Sequence, residues 1–233
     1  MPEPVRTRPA ARIAVLASGG GSNLSALLAH FAMPDVAPIG RVVLVASDRA
    51  DAGALDKARA HGVSAEVIAD PRDGGALREQ LRAHDVSLVV LAGYLKLVPA
   101  EVVQAWPGAV LNVHPALLPA FGGAGMYGRR VHASVVAAGV RLSGATVHFV
   151  DEAFDRGPIV AQWPVPVRPD DSPDDVAARV LAVEHRLLPR AVAAVAAGTV
   201  RLGADGRVHG TVVLPADHTP GTFSLAQVSN PDL

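Results

Sequence analysis

Short apolar runs alternate along the chain with segments of helical periodicity, and this alternation constrains the fold more than any other feature. The apolar runs cover residues 12–18, 41–48, 64–70, 86–94 and 108–114. The first three are each followed by a segment whose apolar residues recur at helical spacing. Strands that alternate with helices form parallel sheets through right-handed crossovers. The sequence therefore predicts an α/β protein with a Rossmann-like, mostly parallel sheet flanked by helices.

The pattern changes in the second half of the chain. Residues 144–150 and 158–167 are predicted strands, and only a short polar loop, "DEAFDRG", separates them. Because this loop is too short for a helical crossover, we predict an antiparallel hairpin. A long helix is predicted over residues 172–198, since Ser172 suits its N-cap and Pro173 its first turn.

The chain is predicted to form one domain. Its 233 residues suit one large domain or two small ones, and no internal repeat or linker interrupts the alternating pattern. We expect a disordered lead-in over residues 1–11, a folded domain over residues 12–198, and a C-terminal extension over residues 199–233. The extension is predicted to be irregular because it is rich in Gly, Pro and His.

Composition excludes several classes of protein. The absence of cysteine excludes a disulfide scaffold, a cysteine nucleophile and thiolate metal sites. The nine histidines include no His-Glu-x-x-His motif, so we expect no metal. With a net charge of -1 and mixed acids and bases, we expect no nucleic-acid partner. No apolar stretch reaches the roughly 18 residues of a membrane span, and the N-terminus lacks a signal-peptide pattern, so a cytoplasmic protein is expected.

A glycine loop follows the first predicted strand. Gly19, Gly20 and Gly21 precede a helix, and Ser22 and Asn23 add hydrogen-bonding side chains. Such a turn presents backbone N–H groups and a helix N-terminus to an anion. The motif matches neither the dinucleotide fingerprint nor the P-loop. A single phosphate monoester suits it, and a tight turn without a ligand is the alternative.

Asp48 ends the second predicted strand, where dehydrogenases place the carboxylate that binds the NAD ribose. This position keeps an NAD-dependent dehydrogenase open as an alternative function. A helix cap is the structural explanation of the same residue. A non-catalytic nucleotide-binding module is a further alternative, which the polar pair described next argues against.

The fifth predicted strand ends in "LNVHPALLPAF", residues 111–121. Asn112 and His114 project to one face because residues two apart in a strand point the same way. Pro115 favours an extended His114 and ends the strand there. Ligands of parallel sheets bind beyond the carboxyl ends of the strands. There a histidine can move a proton and an asparagine can donate to an oxyanion; a structural histidine and a turn asparagine are the alternative.

A carboxylate partner for His114 is expected from the loop after the strand that holds His148. Asp151, Glu152 and Asp155 lie in this loop, and Asp155 directly precedes a sharply turning Arg-Gly-Pro sequence. A carboxylate that reaches His114 favours the imidazolium, so we expect a raised pKa for His114.

Five motifs together resemble one enzyme family. They are "SGGGSNL", "VVLAGYLKLVP", "LNVHPALLPAFGG", "SGATVHFVDEAFDRGPIVAQ" and "RVLAVEHRLLP". In this order they resemble the phosphoribosylglycinamide formyltransferases, a folate-dependent family, over about residues 12–198. The resemblance implies formyl transfer from the co-substrate 10-formyltetrahydrofolate to the amine of glycinamide ribonucleotide in de novo purine biosynthesis, without a metal. A formyltetrahydrofolate hydrolase or another folate-dependent formyltransferase is the alternative within this resemblance.

The resemblance also implies roles for individual residues. Catalysis is assigned to Asn112, His114 and Asp155. Substrate binding is assigned to Gly21, Ser22, Asn23 and Glu184, the first three for the phosphate and Glu184 for the ribose. The implied folate contacts are Arg72, Leu95, Lys96, Leu97, Val98, Asn112, Asp151, Glu152, Ala153, Phe154 and Asp155.

The segment "FGGAGMYGRRVH", residues 121–132, departs from the pattern of many family members. His132 is its candidate contributor to the substrate or folate site. A homodimer remains open, because no feature of the sequence decides the oligomeric state.

Overall fold

Strands and helices alternate in the computed structural model, which describes residues 9–214. The strands are β1 (Ala11–Leu16), β2 (Gly40–Ser47), β3 (Ser64–Val67), β4 (Leu88–Leu91), β5 (Val110–His114), β6 (Leu142–Phe149), β7 (Ile159–Pro166), β8 (Arg201–Leu202) and β9 (Val208–His209). The helices are α1 (Ser22–Phe31), α2 (Gly53–Ala60), α3 (Gly74–Ala83), α4 (Ala100–Ala105), α5 (Arg129–Ala137) and α6 (Pro173–Ala197). The first eight residues of the predicted lead-in and residues 215–233 of the predicted extension lie outside the described residues.

Seven strands form one sheet in the order β3-β2-β1-β4-β5-β6-β7. The pairings from β3 through β5 are parallel, and β6 pairs antiparallel with both β5 and β7. The predicted α/β class and the predicted antiparallel hairpin are therefore confirmed. The chain moves outward from β1 to β3 and returns to β4, so the loops after β1 and β4 diverge. This divergence opens a crevice at the carboxyl ends of the strands.

Apolar side chains cover both faces of the sheet. One cluster joins the sheet to α1, α2, α5 and α6, and a second joins the opposite face to α3 and α4. α2 and α3 lie on opposite faces because the direction of travel along the sheet reverses between them. Within the described residues no helix is long and apolar enough to cross a membrane.

α6 begins and ends as the sequence predicts. Ser172 and Asp175 form a reciprocal capping box, with Ser172 Oγ accepting from Asp175 N at 3.2 Å and Asp175 Oδ2 accepting from Ser172 N at 2.9 Å. The helix ends at Gly198 in the left-handed conformation. It packs against α1, α5 and β6, and this position carries Glu184 to the N-terminus of α1.

Four short elements were not predicted from the sequence. α4 has only six residues and no side-chain cap, and α5 follows a glycine-rich segment, so neither shows strong local signals. β8 and β9 form a separate hairpin of two-residue strands within the predicted irregular extension. Val200 and Val212 from this region are buried against the main core.

Candidate active site

A cavity of about 530 Å³ lies at the carboxyl ends of β1, β4 and β5. The glycine loop, the segment after β4, residues 123–129 and one face of α6 form its walls. Most of the residues that the sequence singles out meet here. The ones in its lining are Gly21, Ser22, Asn23, Leu95, Lys96, Leu97, Val98, Asn112, His114, Ala153, Phe154, Asp155 and Glu184.

Three predicted folate contacts lie outside the lining of this cavity. Arg72 donates its backbone N–H to Asp70 in the loop before α3. Asp151 accepts a hydrogen bond from the backbone of Ala153, and Glu152 accepts one from Gln104. The structure therefore does not bring these side chains together with the rest of the predicted site.

Asn112, His114 and Asp155 come from separate segments and meet at the cavity wall. β5 carries the first two, and the loop between β6 and β7 carries Asp155. His114 Nδ1 lies 3.4 Å from Asp155 Oδ2, and Asn112 Nδ2 lies 3.3 Å from Asp155 Oδ1. An amide, an imidazole and a carboxylate are thus within reach of one another, and such groups suit proton transfer beside a carbonyl.

Several contacts hold Asp155 in this position. Its backbone adopts a left-handed conformation with φ 55°, which is uncommon outside glycine. Its Oδ2 accepts a hydrogen bond of 2.9 Å from the backbone N–H of Gly123. Burial works to raise the pKa of Asp155, but the neighbouring His148 and His114 and the Gly123 N–H outweigh it and lower that pKa. The carboxylate is therefore ionised.

The pKa of His114 departs from the prediction. Burial away from water lowers the pKa of His114, although the charge of Asp155 and the carbonyl of Phe121 act to raise it. The expectation of a raised pKa was wrong because the ring is almost fully enclosed, at 3% exposed. Its Nε2 lies 2.8 Å from the Phe121 carbonyl, so both ring nitrogens face oxygen acceptors. A further negative charge in the cavity therefore favours the imidazolium.

The Asn112 amide is held between two neighbours. Its Nδ2 lies 3.0 Å from His148 Nε2 and 3.3 Å from Asp155 Oδ1, and these two atoms are themselves 3.6 Å apart. The amide nitrogen therefore faces the wall formed by the β6 strand and the loop that carries Asp155, and Asn112 also lines the cavity.

His148 is a neighbour to which the sequence reasoning assigned no role. It lies directly opposite Asn112 in the β5–β6 pairing. Its Nδ1 donates to the Phe149 carbonyl at 2.7 Å, and its Nε2 faces the Asn112 amide at 3.0 Å. Cross-strand register is the signal that connects these residues, and register is not visible in a single sequence.

The glycine loop is built against α2. Gly21 has φ 70°, and a Cβ atom there would lie 2.8 Å from the Cα of Ala54. Gly19 O accepts from Ala54 N at 3.1 Å, and Gly21 O accepts from Lys57 Nζ at 3.2 Å. No side chain caps the N-terminus of α1. Its first-turn N–H groups are therefore free to bind an anion in the cavity.

Glu184 reaches the cavity from the middle of α6. Its side chain is buried and accepts a hydrogen bond of 2.8 Å from Asn23 Nδ2. Burial raises the pKa of Glu184, and the Asn23 amide partly offsets this effect. A buried acid beside an anion-binding loop suits recognition of ligand hydroxyl groups.

The segment after β5 adds lining residues that the family pattern did not supply. Met126 and Tyr127 line the cavity, as does His132 from the first turns of α5. His132 is buried, and its Nδ1 has no hydrogen-bond partner. Burial and the nearby His114 lower the pKa of His132. The candidate named from the sequence therefore does reach the site.

Asp48 does not occupy a ligand position. It is absent from the cavity lining, and its Oδ2 lies 3.9 Å from Lys96 Nζ. The carboxylate that the dehydrogenase alternative needs is thus turned toward a lysine. Among residues 9–214 there is no group of three or more His, Cys, Asp or Glu side chains that could hold a metal ion.

Fold and site together define an α/β enzyme with an anion-binding loop beside an Asn–His–Asp cluster. The chain belongs to the formyl transferase family, whose model matches residues 11–192. It is 44% identical over 202 residues to the chloroplastic phosphoribosylglycinamide formyltransferase of Arabidopsis thaliana, covering 84% of this chain and 68% of that protein. It is also 39% identical to the trifunctional purine biosynthetic protein adenosine-3 of Bos taurus, of which it spans 20%.

Solved structures that are similar to this one support the same family. Glycinamide ribonucleotide transformylase 1 from Symbiobacterium toebii has a TM-score of 0.80 and 40% identity, covering 90% of this chain and 98% of that chain. A formyltetrahydrofolate deformylase from Pseudomonas syringae has a TM-score of 0.76 and 25% identity, covering 88% of this chain and 67% of that chain. The family resemblance drawn from the motifs is confirmed, and the chain is a folate-dependent formyltransferase.

Proposed function

We propose that this chain transfers the formyl group of 10-formyltetrahydrofolate to the amine of glycinamide ribonucleotide in de novo purine biosynthesis. The observation that carries the proposal is the convergence of Asn112, His114 and Asp155 in the same cavity as the glycine loop and Glu184. The names of the plant enzyme and of the Symbiobacterium structure support this choice of reaction.

The substrate would be held at two points. The uncapped N-terminus of α1, with Gly21, Ser22 and the Asn23 backbone, suits the phosphate. The carboxylate of Glu184 suits the ribose hydroxyls. Two anchors on the same ligand would orient the amine toward His114 and so lower the entropic part of the barrier.

The folate would enter along the apolar rim. Leu95, Leu97 and Phe154 are exposed at the cavity mouth, and Val98 is buried behind them. These side chains suit the flat, apolar faces of a pterin and its benzoyl arm. Contacts from Arg72, Lys96, Ala153, Asp151 and Glu152 to the folate stay predictions from the family resemblance.

The neutral amine needs no protein nucleophile, because it attacks the formyl carbon directly. The resulting tetrahedral intermediate carries an oxyanion, which the Asn112 amide and the charge of the adjacent His114 imidazolium would stabilise. Loss of one such donor typically costs about 10²–10³ in rate. The oxyanion also supplies the negative charge that favours the His114 imidazolium.

A proton must then pass from the attacking nitrogen to the departing folate nitrogen. Asp155 orients His114 and can accept this proton through a water molecule before it is delivered. General acid–base assistance of this kind contributes roughly 10²–10⁴ in rate. Collapse of the intermediate returns the carbonyl on the substrate nitrogen and releases tetrahydrofolate.

The test is an assay of the full chain with glycinamide ribonucleotide and 10-formyltetrahydrofolate. We expect loss of the formyl-folate to require the amine and to yield one formylated product per folate. Formyl loss at the same rate without the amine would instead identify a hydrolase, the activity named for the Pseudomonas syringae structure. A location in the cytoplasm, a homodimer, and the lack of nucleic-acid or membrane partners stay predictions.

A further inference from the structure

Asn23 and Glu184 join two walls of the cavity. Asn23 lies in the first turn of α1 and Glu184 in the middle of α6, 161 residues apart in the chain. Asn23 Nδ2 lies 2.8 Å from Glu184 Oε2, and the two residues are 7% and 6% exposed. This contact directly connects the proposed phosphate loop with the acid proposed for the ribose.

The side chain of Asn23 points away from the anion position. Only its backbone N–H belongs to the free first-turn donors of α1, since the side-chain amide is turned inward to Glu184. The amide oxygen of Asn23 is buried without a hydrogen-bond partner. Among the described residues, the hydrogen bond to the Glu184 carboxylate is therefore the one polar contact of the Asn23 side chain.

The buried carboxylate of Glu184 depends on the Asn23 amide for a hydrogen-bond donor. Among the hydrogen bonds of residues 9–214, Asn23 supplies the donor that reaches its carboxylate. A buried carboxylate is strongly disfavoured without a donor. The donor to Oε2 orients the group, and the remaining carboxylate oxygen is left to accept from a ligand.

We infer that Asn23 is a positioning residue that acts through Glu184 on the ribose hydroxyls, and that its side chain makes no contribution to phosphate binding. This inference rests on the proposed function. It differs from the role that the family resemblance implies, which assigns Asn23 to the phosphate alone. The phosphate loop and the ribose acid then form one unit, because the same residue of α1 supplies a backbone donor to one and a side-chain donor to the other.

The experiment compares Asn23→Leu, Glu184→Gln and the double variant. Dissociation constants are measured by calorimetry for glycinamide ribonucleotide, its 2′,3′-dideoxy analogue and its dephosphorylated riboside. We expect Asn23→Leu to weaken binding of the full substrate by about tenfold or more, since hydrogen bonds to charged groups are strong. The effect falls to less than about twofold for the dideoxy analogue and in the Glu184→Gln background, because the contact being removed is absent there.

The riboside distinguishes the two roles of Asn23. If its side chain acts through Glu184, the penalty of Asn23→Leu persists on the riboside. A penalty that disappears on the riboside but persists on the dideoxy analogue would assign the side chain to the phosphate and overturn the inference. Equal penalties on all three ligands, or additive effects in the double variant, would also overturn it.

Two controls keep the outcome interpretable. Ser25→Ala removes another polar side chain from the same turn of α1, which hydrogen-bonds Gly21 O and not Glu184, and its binding should stay within about twofold of wild type. Asn23→Ser serves if the leucine variant fails to fold, as judged by thermal unfolding. Absence of any formyl transfer by wild type would contradict the proposed function, whereas a working enzyme without coupling contradicts only the role of Asn23.

Discussion

Asn112 Nδ2 lies 3.3 Å from Asp155 Oδ1, although 43 residues separate them in the chain. The contact forms because the loop after β6 turns back over the end of β5. Gly157 makes this return possible: any Cβ there would collide with the carbonyl of Phe149. The Phe149 N–H bonds to the Pro158 carbonyl at 2.9 Å and closes the turn. The loop between β6 and β7 thus completes the cluster of Asn112, His114 and Asp155, whose first two members lie on β5.

The charge of Asp155 should be essential to turnover. We expect Asp155→Asn to lower kcat by about 10²–10⁴ through loss of general acid–base assistance, with substrate affinity changed by less than about threefold. Steady-state kinetics and calorimetry measure the two effects separately. Asp85→Asn is the matched control, because Asp85 is also an aspartate with positive φ, at 48°, and lies outside the site. Wild-type turnover in the Asp155 variant would remove this residue from the mechanism.

Asn112 should contribute in the transition state and less in the ground state. We expect Asn112→Ala to lower kcat by about 10²–10³, the usual cost of one oxyanion donor, with little change in KM. The same substitution leaves His148 and Asp155 without a shared donor, so thermal unfolding must be recorded alongside. A rise in KM with kcat unchanged would mean that the amide serves binding instead.

Gly21 should be sensitive to substitution for two separable reasons. Gly21→Ala forces a side chain into a left-handed backbone, which costs about 1–2 kcal/mol, and brings its Cβ against Ala54. We expect both a lower free energy of unfolding and a several-fold higher KM for the phosphorylated substrate. Gly139→Ala is the matched control, since its φ is 64° and nothing lies within 4 Å of the added Cβ. The Gly139→Ala variant should have a lower free energy of unfolding but an unchanged KM. If the KM of the Gly21→Ala variant is also unchanged, the loop does not belong to the binding site.

Buried histidines should make stability fall in mild acid. The pKa values of His114 and His132 are lowered from 6.5 in the folded protein, so below pH 6.5 the unfolded chain binds more protons. The free energy of unfolding then rises with pH and falls on acidification through this window. Urea titrations from pH 8 to pH 5, at about one-unit steps, measure the slope.

The His132→Asn variant isolates one part of this slope. Its unfolding free energy should depend less on pH than that of wild type, because one lowered pKa is removed. The difference between the two proteins cancels the opposite contribution of Glu184, whose pKa is raised. His61→Asn, an exposed substitution on the surface after α2, provides the comparison. Parallel curves for wild type and His132→Asn would contradict the prediction.

The local part of the site could be predicted from the sequence. Asn112 and His114 share a face because strand periodicity is a property of the backbone itself. The glycine loop and the capping box of α6 are likewise encoded by neighbouring residues. The segment 121–132 carried weaker signals, because its glycines permit many conformations and favour none.

The alternation of strands and helices in the first half of the chain, the mostly parallel sheet and the residue types at its carboxyl edge were determined by the sequence, because periodicity and turn chemistry act over a few residues. Tertiary structure decided which distant side chains meet: Asp155 against His114, His148 against Asn112, and Asn23 against Glu184. It also reversed the predicted direction of the His114 pKa, since enclosure from water depends on every element that packs around the ring. Cross-strand register and desolvation are sums over the whole fold, and no short stretch of sequence contains them.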